Sequence, residues 1–332
     1  MQKVSREILV DKAISLLNQG VVKAVFGWRK GEFDYDVTPA VFTTEKDIKE
    51  NFVFNGFCGA NFSKYLVAKT VNFDGKILVF LKPCDTYSFN QLLTEHRFDR
   101  EKVYAVGIPC DGMADISKVK EIAGDGVSKI DFEGDMMKVT TLYQDEPVEI
   151  KLGDVLLERC YNCKSKKHVA YDELIGEDGE VLDSNRFDEV AKLEAMTPDE
   201  RFAFWQGELS KCLRCNACRD VCPACTCEKC VFDNPNSGVE NKAAANSFEE
   251  KMFHIIRAFH VAGRCTDCGE CSRVCPQNIP LHLLNRKFIK DINQFYGEYQ
   301  AGEQVGSRAP LVNYTTEDVE PCDVFKGGEE NA

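Results

Sequence analysis

The stretch CLRCNACRDVCPACTCEKC, residues 212–230, holds seven cysteines in nineteen positions. Its first four, Cys212, Cys215, Cys218 and Cys222, are spaced C-x2-C-x2-C-x3-C and are followed by Pro223. A second run, CTDCGECSRVCPQNIPL at 265–281, repeats that spacing with Cys265, Cys268, Cys271, Cys275 and Pro276, each 53 positions after its counterpart. The physical reason for the spacing is geometric. Two-residue spacers wrap three thiolates around one cuboidal [4Fe–4S] cluster, while the longer spacer and the proline send the fourth sulfur to the other cluster. The repeat therefore assigns Cys212, Cys215, Cys218 and Cys275 to cluster 1. It assigns Cys265, Cys268, Cys271 and Cys222 to cluster 2. Zinc sites take four ligands in pairs, which suits two runs of four cysteines poorly.

Between the runs, Ser247 precedes Glu250 by three residues, a capping-box signal. Met252, Ile255, Ile256 and Phe259 then follow at helical spacing, and Ile279, Leu281, Leu283, Leu284 and Phe288 suggest another helix after the second run. Cys225, Cys227 and Cys230 are not needed by two clusters. Cys160 and Cys163, in ERCYNCKS, form a further C-x2-C pair. Two such pairs make a tetrathiolate site if the fold brings them together. The expectation is a third [4Fe–4S] cluster on Cys160, Cys163, Cys227 and Cys230. Cys225 is either a replacement for Cys227 or a thiol beside the site. A structural zinc joining two domains and free thiols are the alternatives. Lys164, Lys166, Lys167 and His168 read as a solvated basic face, or as charges that raise a cluster's potential.

The first 150 residues differ. Short runs rich in valine and isoleucine at 22–26, 76–81 and 103–108 read as strands, with helical patterns at 7–17 and 85–93. That alternation predicts an α/β layer. Residues 127–152 read as a β-hairpin addition. No G-x-G-x-x-G or phosphate-loop motif is present, so a Rossmann nicotinamide site is unsupported. Two matched turns end neighbouring strands, Lys82-Pro83-Cys84-Asp85 and Ile108-Pro109-Cys110-Asp111. Ligands collect at the carboxyl ends of strands in open α/β sheets. Cys84 and Cys110 are thus candidate cofactor-binding residues, for a flavin or substrate pocket, a redox disulfide, or a further cluster with Cys58. The bland reading is that proline and aspartate make the turn and cap the next helix, around a small buried thiol.

The whole chain has 332 residues, 17 cysteines, 44% hydrophobic residues and a net charge of −13. Its length suits two domains. Disulfide scaffolds are short and follow a signal peptide. Here the first twenty residues read instead as an amphipathic helix, and no apolar run nears the ~20 residues of a membrane span. A reducing cytoplasm is expected, with cysteines binding metal. The negative charge argues against a nucleic-acid partner and against docking on an anionic membrane. The organisation expected is an α/β domain over 1–155, a connector over 156–200 carrying the CxxC pair, an α-helical dicluster ferredoxin domain over 201–298, and a polar tail over 299–332. The tail, with Cys322, Val324 and Phe325, reads as a segment without its own core or as a strap for a partner.

Residues 200–295 resemble the α-helical dicluster ferredoxin module of succinate dehydrogenase and fumarate reductase iron–sulfur subunits and of heterodisulfide reductase relatives. The longer pattern LKPCD, GIPCDG, CYNC and CLRCNACRDVCPACTCEKC resembles the beta-subunit family of deazaflavin-reducing hydrogenases and formate dehydrogenases. The resemblance implies an electron-transfer subunit of a larger anaerobic redox complex, partnered by a catalytic oxidoreductase subunit and a redox acceptor. Some members of that family bind FAD and reduce a deazaflavin. This chain departs from them in placing the ferredoxin module after the α/β domain and in its extra cysteines, and no flavin-binding residue matches one by one. Three functions compete: an electron relay, a flavin reductase with its site near Cys84 and Cys110, and a thiol–disulfide enzyme using those two thiols.

Overall fold

The structure is a computed structural model and describes residues 4–161, 163, 167–179, 185–233 and 247–310. Helix α1 (Arg6–Asn18) starts where the Ser5 hydroxyl accepts from the Ile8 N–H. It leads into β1 (Ala24–Lys30), β2 (Val37–Phe42), α2 (Glu45–Asn51) and α3 (Ser63–Thr70). Next come β3 (Ile77–Leu81), α4 (Pro83–Thr94), β4 (Val103–Gly107) and α5 (Ile116–Ala123). The sheet order is β2-β1-β3-β4, with β1, β3 and β4 parallel and β2 antiparallel at one edge. Every residue of β3, ILVFL, is buried. A parallel strand covered on both faces is apolar throughout for that reason. The three strands and two helices expected from pattern are present, and β2, α2 and α3 are additions.

A separate three-stranded antiparallel sheet follows, β5 (Val127–Glu133), β6 (Met136–Thr141) and β7 (Val148–Lys151). Its expected hairpin gains a third strand. Alternate residues of β6 are buried, so Met137 and Val139 pack with Ile130, Ile150 and Val119 of α5. The chain then passes through α6 (Glu158–Tyr161) and returns to the first sheet as β8 (Glu173–Leu174), parallel to β4. His168 pins this return. Its Nε2 lies 2.9 Å from the Leu81 carbonyl oxygen and its Nδ1 2.5 Å from Asp178 Oδ1. The reading of His168 as part of a solvated face is thus corrected, because the side chain is buried at the end of β3. Lys167 is exposed, and Lys164 and Lys166 lie outside the described residues.

The remainder is helical: α7 (Asp188–Ala195), α8 (Pro198–Ser210), α9 (Ala217–Asp220), α10 (Ser247–Val261), α11 (Glu270–Arg273) and α12 (Leu281–Tyr296). The sequence repeat is a structural repeat. α9 and α11 occupy equivalent positions, 53 residues apart. Left-handed residues recur at the same offset, Arg214 with Asp267 (φ 54° and 59°) and Asn216 with Gly269 (both 64°). Among the described residues, no helix is long and apolar enough to cross a membrane. Of the tail, residues 299–310 are described, and Cys322, Val324 and Phe325 lie outside.

Candidate metal centres

The left-handed turns explain how each run encloses a ligand. Consecutive N–H groups bent around such turns point into one concavity that favours anions. Arg214 N–H already lies 3.3 Å from Cys212 Sγ. Cys212, Cys215, Cys218 and Cys275 line one pocket of about 340 Å³, with Pro276, Ile279 and Phe253 in its wall. This is the set expected for cluster 1, with Cys275 crossing from the second run. Its complement follows: Cys222 lies close enough to Cys265, Cys268 and Cys271 to act electrostatically on each. Both crossed sets are therefore brought together.

The third expected set is not. Cys160 and Cys163 line a cavity of about 600 Å³ with Cys84 and Cys110. Cys227 and Cys230 line a different cleft with Cys225. CYNC thus shares its cavity with the two P-C-D turns and not with CEKC. The physical reason is topological. β3 and β4 are parallel neighbours, so their carboxyl ends present Cys84 and Cys110 side by side, and β8 draws the connector across that edge. Pro83 and Asp85 do start α4, with Asp85 Oδ2 accepting from the Lys82 N–H at 3.1 Å. The second turn starts no helix, since α5 begins only at Ile116. Cys58 belongs to neither cavity. It is buried in the core, accepts from the Asn55 N–H at 3.3 Å, and burial pushes its thiol up to about 12.

The donor chemistry fits iron–sulfur clusters. Thiolate sets carry negative charge, and the walls of the CYNC cavity supply Lys82, Arg159, Arg186 and Arg286 against one acid, Asp267. Lys82 is fully buried, 2.9 Å from Asp85 and over the Trp28 ring. Among the described residues no group of three or more cysteine, histidine or acidic side chains converges tightly enough to hold a single metal ion.

Sequence reasoning missed the side chains between the sites. His254, buried on α10, has Nε2 3.2 Å from Cys212 Sγ. Burial, then the nearby Arg257 and Arg214, pushes this imidazole down to about 3, and the contact puts a ring nitrogen within hydrogen-bond distance of the sulfur. Arg257, one turn on, acts on Cys222, Cys271 and Cys218 together. Asn285 Nδ2 lies 3.7 Å from Cys271 Sγ. Hydrogen bonds and charge at the sulfurs tune cluster potentials. Arg159 joins the two halves of the molecule. It donates to Gly59 O (2.8 Å), Glu270 Oε1 (2.8 Å) and the Cys268 carbonyl, while lining the CYNC cavity. The helical spacing that revealed α10 was the only signal for His254 and Arg257, and it reads as core.

Fold and sites together define an iron–sulfur protein: an α/β layer followed by a helical domain with two crossed four-cysteine sets. The 4Fe-4S dicluster domain family matches residues 208–279. The F420-dependent formate dehydrogenase subunit beta of Methanocaldococcus jannaschii is similar, 24% identical over 332 residues, covering 83% of this chain and 86% of that one. The F420-dependent formate dehydrogenase 1 subunit beta of Methanococcus maripaludis is 24% identical over 362 residues, covering 89% and 92%. These matches bear out the resemblance read from the cysteine runs and the P-C-D turns. A chain in a solved structure of the F420-reducing [NiFe] hydrogenase complex from Methanosarcina barkeri is 18% identical with a TM-score of 0.37, over 48% of this chain and 59% of that one, too distant to carry an argument.

Proposed function

We propose that this chain is the beta-type, electron-transferring subunit of a multi-subunit anaerobic oxidoreductase related to F420-dependent formate dehydrogenases. In this reading it works in a reducing cytoplasm beside a catalytic subunit and a redox acceptor. The α/β domain spans 1–155, the connector 156–200, the dicluster ferredoxin domain 201–298 and the tail 299–332. Cys212, Cys215, Cys218 and Cys275 hold cluster 1, and Cys265, Cys268, Cys271 and Cys222 hold cluster 2. A third [4Fe–4S] cluster is held by Cys84, Cys110, Cys160 and Cys163. When bound, such clusters supply reversible one-electron storage. The chain's own residues then exclude water, fix the spacing of the sites and set their potentials.

The observation that supports a relay most directly is the adjacency of thiol sites. The cavity of Cys84, Cys110, Cys160 and Cys163 has Cys268 of the second set in its wall. Cys271 of that set in turn acts on Cys218 of the first. Thiols thus run continuously from the strand ends of the α/β layer into the helical domain. The test is iron and acid-labile sulfide per chain on anaerobically purified protein, wild type against Cys110→Ser/Cys160→Ser. The double variant is expected to lose about four iron atoms, one cluster's worth, and to stop electron passage from a partner subunit or artificial donor. Full iron content in that variant would overturn the third site. Tightly bound flavin in the purified chain would favour instead a reductase with its site near Cys84 and Cys110.

A further inference from the structure

Among the described residues, Cys225, Cys227 and Cys230 have no role in the three sets and line one open cleft of about 1230 Å³ between α3, α9 and α10. The loop that carries them is held, not loose. Lys64 donates to the Cys225 carbonyl and Arg97 to the Thr226 carbonyl. The Thr226 hydroxyl is 3.3 Å from Glu95 Oε2, and Glu95 also receives Arg264 at 2.7 and 2.8 Å. Residues 225 and 226 are therefore held by side chains of the α/β half, with Glu95 held in turn by Arg264 of the helical half.

The cleft carries charges of both signs. Lys64, Arg219, Arg257 and Arg264 line it together with Asp220, Glu228 and Asp233, and Arg264 is paired with Glu95. Arg219 is taken by Asp220 and Asp233. Arg257 is only 4% exposed, has an Nε without a hydrogen-bond partner, and pairs with no carboxylate among the described residues. A buried guanidinium with no acid beside it is costly unless some other negative charge compensates it. Cys222, Cys271 and Cys218 of the two crossed sets are its foremost partners, and Cys225 of this cleft is the next.

We propose that Cys225, Cys227 and Cys230 form a fourth metal site in this cleft, binding an iron–sulfur cluster of the [4Fe–4S] class through three thiolates, with the remaining corner toward the open side. The C-x-C-x2-C spacing supplies three sulfurs within six residues, one for each of three iron atoms of a cuboid. The Cys225 N–H donates to the Cys222 carbonyl at 3.0 Å, so the new site adjoins the second set directly. Cys227 is exposed. The site would thus lie at the surface, where an electron-exchange partner has access. The role rests on the relay reading above, but the site itself is tested by composition alone.

The experiment uses the full chain, purified and reconstituted anaerobically. Iron, zinc and acid-labile sulfide are measured for wild type, Cys227→Ser/Cys230→Ser, the single exposed variant Cys227→Ser, and Cys275→Ser as the control for cluster 1. The double variant is expected to lose about four iron and four sulfide per chain, while the electron paramagnetic resonance signals removed by Cys275→Ser persist. Matching circular dichroism for Cys227→Ser guards against a folding defect, and its spectrum is expected to lose one signal. Unchanged iron in the double variant overturns the site, leaving dithiol chemistry. Loss of one zinc and no iron also overturns it. A failed relay would show differently, as full iron with no electron passage.

Discussion

Arg159→Met is the perturbation that best tests how the two halves are held together. The guanidinium is 8% exposed in its side chain, and its partner Glu270 is fully buried. Three donations disappear in the variant: to Glu270, to Gly59 O and to the Cys268 carbonyl. Breaking a buried ion pair by removing one partner costs about 3–5 kcal/mol. Arg273 still holds Glu270 at 2.7 and 2.8 Å, and the Asn61 N–H still donates to it at 3.1 Å, which pulls the figure down. Two buried carbonyls left without donors add about 1–3 kcal/mol each, and methionine refills much of the volume. A net loss of about 4 kcal/mol is expected. Because the lost contacts cross from the α/β half to the helical half, cluster absorbance and far-ultraviolet circular dichroism should separate into two denaturant transitions, where wild type shows one. Arg273→Met, which is 26% exposed and leaves Arg159 in place, should cost about 1–2 kcal/mol. A loss below about 1 kcal/mol for Arg159→Met, or a larger loss for Arg273→Met, would refute the reasoning.

Other expectations follow from single contacts. Cys275→Ser and Cys222→Ser should each remove about four iron, but from different clusters: Cys275→Ser spares the set around Cys265, and Cys222→Ser spares the set around Cys212. His254→Phe removes the 3.2 Å contact to Cys212 Sγ and should lower the potential of that cluster in a redox titration, with the other signals unmoved. Gly269→Ala places a Cβ 2.6 Å from Arg159 Cδ at a φ of 64°, and should destabilise the chain by about 1–3 kcal/mol in thermal or denaturant melts. Glu95 would be raised by burial, but hydrogen bonds from Arg264 and Gln91 hold it below its ordinary 4.5. A lowered folded-state value gives stability that is complete above 4.5 and lost as pH falls toward the folded value. Glu95→Gln should therefore be less stable at neutral pH and flatter in its acid limb.

Much of the site was legible because ligand spacing is local. In C-x2-C-x2-C the chain between sulfurs is too short to take many paths, so the αL turns at Arg214 and Asp267 follow almost necessarily. The proline after each fourth cysteine carries the same local logic to Cys222 and Cys275. Strand β3 was legible as an unbroken apolar run, and α10 and α12 by their periodicity. What escaped was long-range. β8 is two residues long and has no pattern to find. His168, among lysines, read as solvated until the sheet edge closed over it.

The sequence by itself determined two four-cysteine runs of matched spacing, the helices beside them and an α/β layer before them. Each rests on residues a few positions apart or on a repeat of 53. Only the tertiary structure shows which cysteines share a cavity with the CYNC pair. Cys84, Cys110 and Cys160 are separated by tens of residues, and no spacing rule connects them. Their meeting depends on the parallel pairing of β3 and β4, which aligns two strand ends, and on β8, which returns the connector to them.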